Sequence, residues 1–353
     1  MFLAVNEIIK EKSRFVLITI VIVLVSYLVF FLTALAFGLA TSYTRAIDKW
    51  GADSIILSET ANDNIGRSLL VESDYQGIVG SDAALLGVGA ATVEASEADD
   101  VSLFGVDYEG FLAPEVATGR LPESEGEVVV SDELELVGVE VGSDITLQGG
   151  ESSYEVVGLV QSATFQTAPV IYMDLETWRE AVTETSGMIG MRDDTTVSAV
   201  VVRGDVGEIG EGLSWQSIRD FSFALPGYQA QVLTFSLMIG FLIAIAAFVL
   251  AIFIYILTMQ KKNIFGVLKA EGVSSGYVGR SVMVQVLLLS IFGLLVGMGL
   301  ALLTGALLAG KVPFAVNIYF YLGISALFLA CAAIGGVASV WSVVKIDPVE
   351  AIG

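Results

Sequence analysis

Four long apolar runs, separated by one long polar stretch, give this chain its basic pattern. The runs cover residues 15–43, 232–259, 282–310 and 313–344. Each is longer than the roughly 20 residues that a helix needs to cross the hydrocarbon core of a bilayer. Between the first and second runs lie about 190 more polar residues, enough for a folded domain. The pattern therefore predicts one membrane span, a domain on one side of the membrane, and three further spans.

The two ends of the first span carry additional predictions. Residues 1–14 alternate apolar and polar positions, as an amphipathic helix on the inner membrane surface does. We expect the first helix to cover residues 15–50, continuing outward through Arg45, Asp48 and Lys49 to Trp50 as an interfacial anchor. A cleaved signal peptide is the alternative, because Ala34-Leu35-Ala36 resembles a cleavage site, but the apolar run before that site, about 20 residues, is longer than the roughly 7–15 of a signal peptide.

Residues 51–230 form the predicted domain between the first two spans. β-Branched residues, several of them bounded by Gly or Asp turns, predict strands at 52–58, 127–130, 144–147, 154–160 and 196–202. Residues 175–185 read as a helix capped by Asp174. We therefore expect an α+β domain, with a smaller lobe at 70–125. Residues 231–353 hold the last three spans and a short C-terminal tail.

Charge is distributed unevenly and predicts the orientation. Residues 44–231 contain 34 acidic and 8 basic residues, a net charge of −26, whereas the rest contains 5 acidic and 9 basic residues, a net charge of +4. Basic residues flanking spans mark the cytoplasmic side. Both termini and the 261–281 loop are therefore expected inside, with the acidic domain outside, where its charge disfavours nucleic acid and anionic lipid as partners.

Two residue types limit the chemistry. The sequence contains no histidine, which excludes the usual zinc sites and Ser-His-Asp catalysis. Cys331 is the one cysteine, so an intrachain disulfide is impossible. No nucleophile–base constellation stands out, which disfavours a membrane enzyme, although 34 carboxylates leave room for an acid pair.

The segment 261–281 is more elaborate than a plain connection between two spans. Its sequence, KKNIFGVLKAEGVSSGYVGRS, combines apolar positions with four basic side chains. We interpret it as a docking element for a cytoplasmic partner, and the alternative is an amphipathic linker lying on the membrane surface. The candidate coupling residues are Lys261, Lys262, Ile264, Val267, Leu268, Lys269 and Glu271.

Small residues recur four positions apart in the spans, which lets helix backbones approach closely. The packing candidates are Ala34, Gly38 and Ser42 in the first span and Ser236, Gly240 and Ala244 in the second, with similar pairs in the third and fourth. Packing within the chain and a dimer seam are both compatible with these stripes. The four spans contain no ionisable residue of the kind that marks an ion or proton pathway.

The segment 261–281 and the closing KIDPVEAI resemble the permease subunits of ABC transporters of the MacB/FtsX type, also called type VII. In the domain, residues 119–130, 141–147 and 154–160 are similar to the periplasmic core of that family. The resemblance implies an α-helical membrane protein with four transmembrane helices (1+3) and an α+β extracytoplasmic domain of MacB type. Asn263 and Phe265 depart from the family pattern, which leaves the register of the docking contact open.

The same resemblance implies a mechanism and a set of partners. Two copies of the permease would form a homodimer through spans one and two, in the lipid of a bacterial plasma membrane. Two copies of a separate ABC ATPase subunit would grip the 261–281 segments and tilt the spans, a process called mechanotransmission, without a pore through the bilayer. The chain has no GxxxxGK(S/T) motif of its own, so ATP would act through the partner and no cofactor is expected to stay bound.

The opening MFLAVNEI and residues 43–59 resemble the heme-exporter branch of this family, which makes heme a possible substrate. With no histidine, the iron ligand would be Tyr, Met, a carboxylate or water. The candidate heme residues are Tyr43, Arg45, Glu59, Tyr172, Phe221, Phe223 and Tyr228. Each has a plainer alternative, because the aromatic residues suit an interfacial belt or a core, Glu59 suits solvent and Arg45 suits a helix end.

Two other functions remain open at this stage. One is export of a peptide, an antibiotic or a lipoprotein. The other is an FtsX-like transducer that controls an outer hydrolase and would need exposed apolar side chains for docking. The candidates for that surface are Leu85, Leu86, Leu103, Phe104, Phe111 and Leu112.

Overall fold

The computed structural model describes residues 12–78, 82–96, 98–186, 195–206, 209–260, 267, 271–309 and 312–344. The chain divides into two compact units. Residues 1–38 and 233–353 form what we call the membrane unit, and residues 39–232 form the sheet unit. The predicted segment 1–14 and the C-terminal tail lie almost wholly outside the described residues.

The described helices are α1 (Lys12–Ser42), α2 (Arg45–Asp48), α3 (Glu72–Tyr75), α4 (Leu175–Ser186), α5 (Ile218–Ala224), α6 (Tyr228–Gln260), α7 (Ser275–Leu307) and α8 (Ile318–Val344). Four of them, α1, α6, α7 and α8, are long and apolar enough to cross a membrane. One lies near the N-terminus and three follow the sheet unit, so the predicted 1+3 arrangement of spans is confirmed.

Close contact between α1 and α7 depends on two glycines of α7. A Cβ atom on Gly293 would lie 2.3 Å from Cγ2 of Ile22, and one on Gly297 would lie 2.8 Å from the backbone nitrogen of Tyr27. Ser26 Oγ donates to the carbonyl oxygens of Ile22 (2.7 Å) and Gly293 (2.9 Å), so its buried hydroxyl is satisfied. The helices therefore approach at van der Waals distance, as small residues allow.

The small-residue stripes of α1 and α6 have different surroundings. Ala34 is buried, its carbonyl accepts from the backbone nitrogen of Ala315, and a Cβ on Gly38 would overlap the carbonyl of Pro313. These two residues therefore pack within the chain, and Ser42 is buried as well, with Oγ 2.8 Å from the carbonyl oxygen of Leu39. In α6 the residues Ser236, Gly240 and Ala244 are exposed.

The sheet unit contains one mixed sheet with helices packed on it, so the predicted α+β class is confirmed. Its described strands are β1 (Ser54–Ser58), β2 (Ala83–Glu94), β3 (Asp99–Gly105), β4 (Val116–Gly119), β5 (Glu127–Ser131), β6 (Asp144–Leu147), β7 (Ser153–Val160), β8 (Thr164–Phe165), β9 (Ala168–Met173), β10 (Ala199–Val202) and β11 (Leu213–Ser217). The main path is β11-β1-β10-β2-β3-β9-β5-β7-β4, while β6 pairs with β2 and β7, and β8 pairs with β9.

Most neighbouring strands in this sheet are antiparallel, and β3–β9 and β5–β7 are parallel. The segment 70–125, expected as a smaller lobe, supplies β2, β3 and β4, which pair with β10, β9 and β7 from later parts of the chain. The predicted helix at 175–185 is α4, and Asp174 caps it as expected, because Oδ1 of Asp174 accepts from the backbone nitrogens of Glu176 and Thr177 at 2.9 Å.

The prediction of a continuous helix through residue 50 is wrong. Helix α1 ends at Ser42, a turn follows, and the short helix α2 begins at Arg45. Trp50 is also not an interfacial anchor, since its side chain is only 2 % exposed and its ring lies 5.9 Å from that of Phe104 in the core of the sheet unit. Burial of this large apolar ring in the core of the sheet unit favours the turn after α1.

Candidate functional site

The end of α1 is held by backbone hydrogen bonds that the sequence pattern does not show. The carbonyls of Ser42 and Tyr43 accept from the backbone nitrogens of Thr167 (3.2 Å) and Gln166 (3.1 Å). These donors satisfy two of the carbonyls that the last turn of a helix leaves free. Gln166 and Thr167 both have positive φ, 50° and 73°, a conformation that is uncommon for residues with side chains. This turn fixes the backbone at Tyr43.

Three aromatic side chains meet where α1 ends and α6 begins, and we call Tyr43, Phe223 and Tyr228 the aromatic cluster. The ring centroids of Tyr43 and Tyr228 lie 5.4 Å apart, and the rings of Phe223 and Tyr228 meet edge to face at 5.7 Å. Both distances are favourable for aromatic pairs. Phe223 remains 41 % exposed, so the cluster is accessible from outside.

Local sequence explains how the cluster is assembled. Ser217 caps α5 by accepting from the backbone nitrogen of Asp220 at 3.1 Å, which orients the helix that carries Phe223. Gly227 then turns the chain at φ 81° into α6, where Tyr228 is the first residue. A Cβ on Gly227 would be 3.7 Å from the hydroxyl of Tyr43, so the turn passes directly beside that phenol.

One charged group of α2, the Asp48 carboxylate, interacts with the aromatic cluster. The Thr44 hydroxyl donates to Oδ2 of Asp48 at 3.0 Å, and this carboxylate interacts electrostatically with the Tyr228 phenol. Partial burial raises the pKa of Asp48, while the Thr44 hydrogen bond acts in the opposite direction. Asp48 was not predicted as a site residue. Its position four residues after Thr44 in a helical pattern does, however, predict that the two side chains lie on the same face.

Arg45 is already paired. Its Nη1 lies 3.0 Å from Oε1 of Glu133, with both side chains partly buried. Burial raises the pKa of Glu133, and the positive charge of Arg45 acts in the opposite direction. A role for Arg45 as a partner of substrate carboxylates would therefore have to compete with this ion pair.

The other heme candidates are not members of the aromatic cluster, although Tyr228 packs against the core that contains Phe221 and Tyr172. Tyr172 and Phe221 are 2 % and 0 % exposed and belong to the core of the sheet unit. In the β1–β11 ladder Ser54 lies opposite Ser217, the residue that caps α5 and so precedes Tyr228 by one short helix. Ser58, at the other end of β1, lies opposite Leu213. Ser58 lies about 13 Å along β1 from Ser54, and Glu59 follows it, so Glu59 is at the far end of the strand.

Most of the predicted coupling residues cannot be placed. Lys261, Lys262, Ile264, Leu268 and Lys269 lie outside the described residues. Val267 is 46 % exposed, and its carbonyl accepts from the backbone nitrogen of Glu271 at 2.9 Å. Helix α7 then starts after Ser274, whose side chain accepts from the backbone nitrogen of Tyr277.

The apolar residues considered for docking of a hydrolase are mainly core residues. Leu86, Leu103, Phe104 and Leu112 are at most 2 % exposed. The remaining two of that set, Leu85 and Phe111, are half-buried. These side chains do not form the exposed apolar surface that the transducer hypothesis requires.

Residues 236–348 match the family described as FtsX-like permease C-terminal. The chain carries an FtsX-like permease domain. Along its full length this permease is 25 % identical over 359 residues to a protein of Staphylococcus haemolyticus described as a hemin transport system permease protein, HrtB, with 100 % of this chain and 99 % of the relative covered. An HrtB protein of Staphylococcus epidermidis is 23 % identical over 356 residues with the same coverage.

The descriptions of other relatives state no substrate. An uncharacterized ABC transporter permease of Mycobacterium tuberculosis is 24 % identical over 361 residues, covering 100 % of this permease and 99 % of the relative. Among solved structures, the extracellular domain of the noncanonic ABC-type transporter YknZ matches with a TM-score of 0.32 and 15 % identity over 47 % of this permease and 98 % of that chain. The chain therefore carries an FtsX-like permease domain and is similar along its full length to ABC-transporter permeases.

Proposed function

We propose that this permease is the membrane subunit of an ATP-driven exporter that moves heme from the membrane to the outside. The observation that carries the proposal is the aromatic cluster, in which two tyrosines from the ends of two spans meet beside an exposed phenylalanine. Full-length similarity to two HrtB proteins described as hemin transport permeases supports the choice of substrate.

The aromatic cluster has groups suited to heme. In a sequence without histidine, tyrosine is an established type of axial ligand for heme iron. The ring of Phe223 offers an apolar surface for the porphyrin. Ligation by a phenol requires loss of its proton. Burial of the Tyr228 phenol, and then the negative charge of Asp48, oppose that loss, so the positive charge of the iron would have to offset both effects.

Energy for export would come from a separate ATPase. Two permeases would pair, and two ATPase subunits would bind the 261–281 segments on the cytoplasmic side, where both termini would also lie. Closure of the ATPases would tilt the spans and drive the aromatic clusters between two arrangements, which is mechanotransmission. The hydrogen bonds from Gln166 and Thr167 to the carbonyls of Tyr43 and Ser42 support this proposal, because within the sheet unit they hold the end of α1 against the turn between β8 and β9.

The test is hemin binding and ATPase stimulation on one sample, the permease with its partner ATPase in lipid nanodiscs. Hemin should give a saturable Soret shift relative to empty nanodiscs, and the ATPase rate should change over the same hemin range. Tyr43→Phe or Tyr228→Phe should weaken or abolish the shift, because each removes a phenol oxygen and little volume. Tyr319→Phe is the matched control, since Tyr319 is an 82 % exposed tyrosine at the start of α8.

The proposal fails if hemin gives neither a spectral shift nor an ATPase response. Equal Soret spectra for Tyr228→Phe, Tyr43→Phe and Tyr319→Phe would retain heme as substrate but remove the aromatic cluster as its site. Export of a peptide, antibiotic or lipoprotein, or an FtsX-like transducer role, would then be the functions to examine.

A further inference from the structure

A cleft of about 440 Å³ opens in the sheet unit, and it shares no residue with the aromatic cluster. Its wall includes two basic side chains, Lys49 and Arg203, and one acidic side chain, Glu115. Trp50, Phe111 and Tyr172 provide aromatic surface in the same wall. Its volume is in the range of sites that enclose small organic molecules, about 300–1,000 Å³.

Arg203 is fixed in the cleft by two kinds of contact. Its Nη2 and Nε donate to the backbone carbonyl of Trp50 at 2.6 and 3.3 Å. Its guanidinium carbon lies 4.3 Å from the centroid of the Phe111 ring, a cation–π distance. A guanidinium has five N–H donors, and these bonds use two of them, so three remain for another acceptor.

Trp50 adds a donor without a partner. The residue is 2 % exposed, and its indole Nε1 is buried without a hydrogen-bond partner among the described residues. A buried N–H group that lacks an acceptor destabilises the fold. Because this nitrogen is itself buried, a ligand in the cleft would reach it only after the Trp50 side chain shifts.

The charge of the cleft differs from that of its surroundings. Residues 44–231 have a net charge of −26, and seven of their eight basic residues lie in the part of the chain that the structure describes. Two of these seven line the cleft. Burial lowers the pKa of Lys49, and the nearby Asp132 and Glu115 act in the opposite direction while Arg45 reinforces the lowering. An added negative charge would therefore favour the protonated lysine.

We propose that this cleft binds an organic carboxylate with an apolar body. Lys49 Nζ, which donates to the carbonyl of Gln161, and the free N–H groups of Arg203 would bind the carboxylate by charge-assisted hydrogen bonds. The apolar body would lie against Phe111, Leu112 and Val116. Glu115 would oppose binding by like charge and would limit affinity.

The test uses the full chain in lipid nanodiscs and two fluorescent probes that differ in one group. Dansylglycine carries a carboxylate beside a fused aromatic body, and dansylglycinamide carries a neutral amide in its place. Fluorescence anisotropy, corrected with empty nanodiscs, gives the dissociation constant of each. The acid should bind saturably and about tenfold or more tightly than the amide, because a hydrogen bond to a charged acceptor is stronger than one to a neutral acceptor.

Three variants make the assignment to the cleft testable. Lys49→Gln should weaken dansylglycine binding about tenfold, whereas Arg67→Gln, which removes an exposed positive charge from another part of the same unit, should not change it. Glu115→Gln should bind the acid more tightly than the native chain, a gain that misfolding cannot produce. Equal binding of the two probes, no saturable binding, or equal affinity for Lys49→Gln and Arg67→Gln would each overturn the proposal.

Discussion

Trp178 lies across two glycines of neighbouring strands, and this contact sets how closely α4 packs on the sheet. Gly87 of β2 and Gly105 of β3 are directly opposite each other in the ladder, and Trp178 is completely buried. A Cβ on Gly87 would lie 2.3 Å from the indole, and one on Gly105 would lie 2.6 Å from Cβ of Trp178. The two glycines therefore leave the space that the indole fills, which brings α4 close to the sheet.

Gly105→Ala should destabilise the protein by about 1–3 kcal/mol, because the added methyl group overlaps Trp178 in a packed core. Gly77→Ala is the control, since a Cβ there meets nothing within 4 Å. Thermal unfolding of both variants in detergent, followed by tryptophan fluorescence, measures the difference. Equal melting temperatures for the two variants would mean that α4 can move away from the sheet at little cost.

A second residue-scale prediction concerns the ion pair of Arg120 and Glu127. Nη1 and Nη2 of Arg120 lie 2.6 and 2.7 Å from the two carboxylate oxygens of Glu127, which also accept from the backbone nitrogen of Glu123. The Arg120 hydrogen bonds, then the backbone bond, lower the pKa of Glu127 to about 2 from its ordinary value of 4.5. Between these two pH values the unfolded chain binds more protons than the folded one, so stability rises with pH.

Glu127→Gln should therefore lower the melting temperature at pH 6, and its difference from the native chain should shrink as the pH falls below 4.5 toward 2. Glu125→Gln, at an exposed carboxylate nearby, should show no such trend. Melting curves of the three proteins from pH 3 to 7 provide the comparison. A pH-independent difference for Glu127→Gln would show that the ion pair does not contribute through its charge.

At the scale of secondary-structure elements, the contact of α1 with α7 depends on which face of each helix carries small residues. The sequence predicts that Gly293 and Gly297 share one face of α7, because they are four residues apart. It does not predict which helix packs on that face, because the spacing within one helix carries no information about its neighbour. The structure places Ile22 and Ser26 of α1 against this face. Gly299, two residues along the same helix, has open space around a Cβ.

Gly297→Ala should destabilise the membrane unit by about 1–3 kcal/mol, because the backbone of Tyr27 must move to admit the methyl group. Gly299→Ala should have an effect within about 0.5 kcal/mol, as expected at an exposed position. Both variants keep the span apolar, so insertion into the membrane is unaffected. Unfolding in mixed detergent micelles, followed by circular dichroism, measures the two changes, and a larger effect at Gly299 would contradict the packing described.

At the scale of the whole molecule, local patterns predicted the elements and missed the features that depend on distant contacts. The four spans follow from runs of apolar residues, and the cap of α4 follows from Asp174, since each signal lies within the element itself. The end of α1 at Ser42 depends on donors at Gln166 and Thr167, more than 120 residues away in the sequence. The position of Glu59 likewise depends on distant contacts, because the pairing of β1 with β11 places Ser58, the residue before it, opposite Leu213.

Pairing of two copies is the remaining prediction at this scale, and α6 is the helix on which to test it. Ser236, Gly240 and Ala244 form an exposed stripe, and a Cβ on Gly240 meets nothing within 4 Å in a single chain. A single chain should therefore tolerate Gly240→Ile, whereas a dimer that packs two α6 helices closely should not, because small residues permit the close approach of backbones. Gly323→Ile, at an open and exposed position of α8, is the matched control.

Single-molecule photobleaching of labelled chains in nanodiscs counts the copies per particle. The native chain and Gly323→Ile should show two bleaching steps, and Gly240→Ile should shift the population toward one step while its circular dichroism spectrum stays that of the native chain. Two steps for all three proteins would place the dimer contact elsewhere than on α6. One step for the native chain would mean that pairing requires the ATPase subunit, and repeating the count with that subunit bound would then decide whether Gly240 lies in the contact.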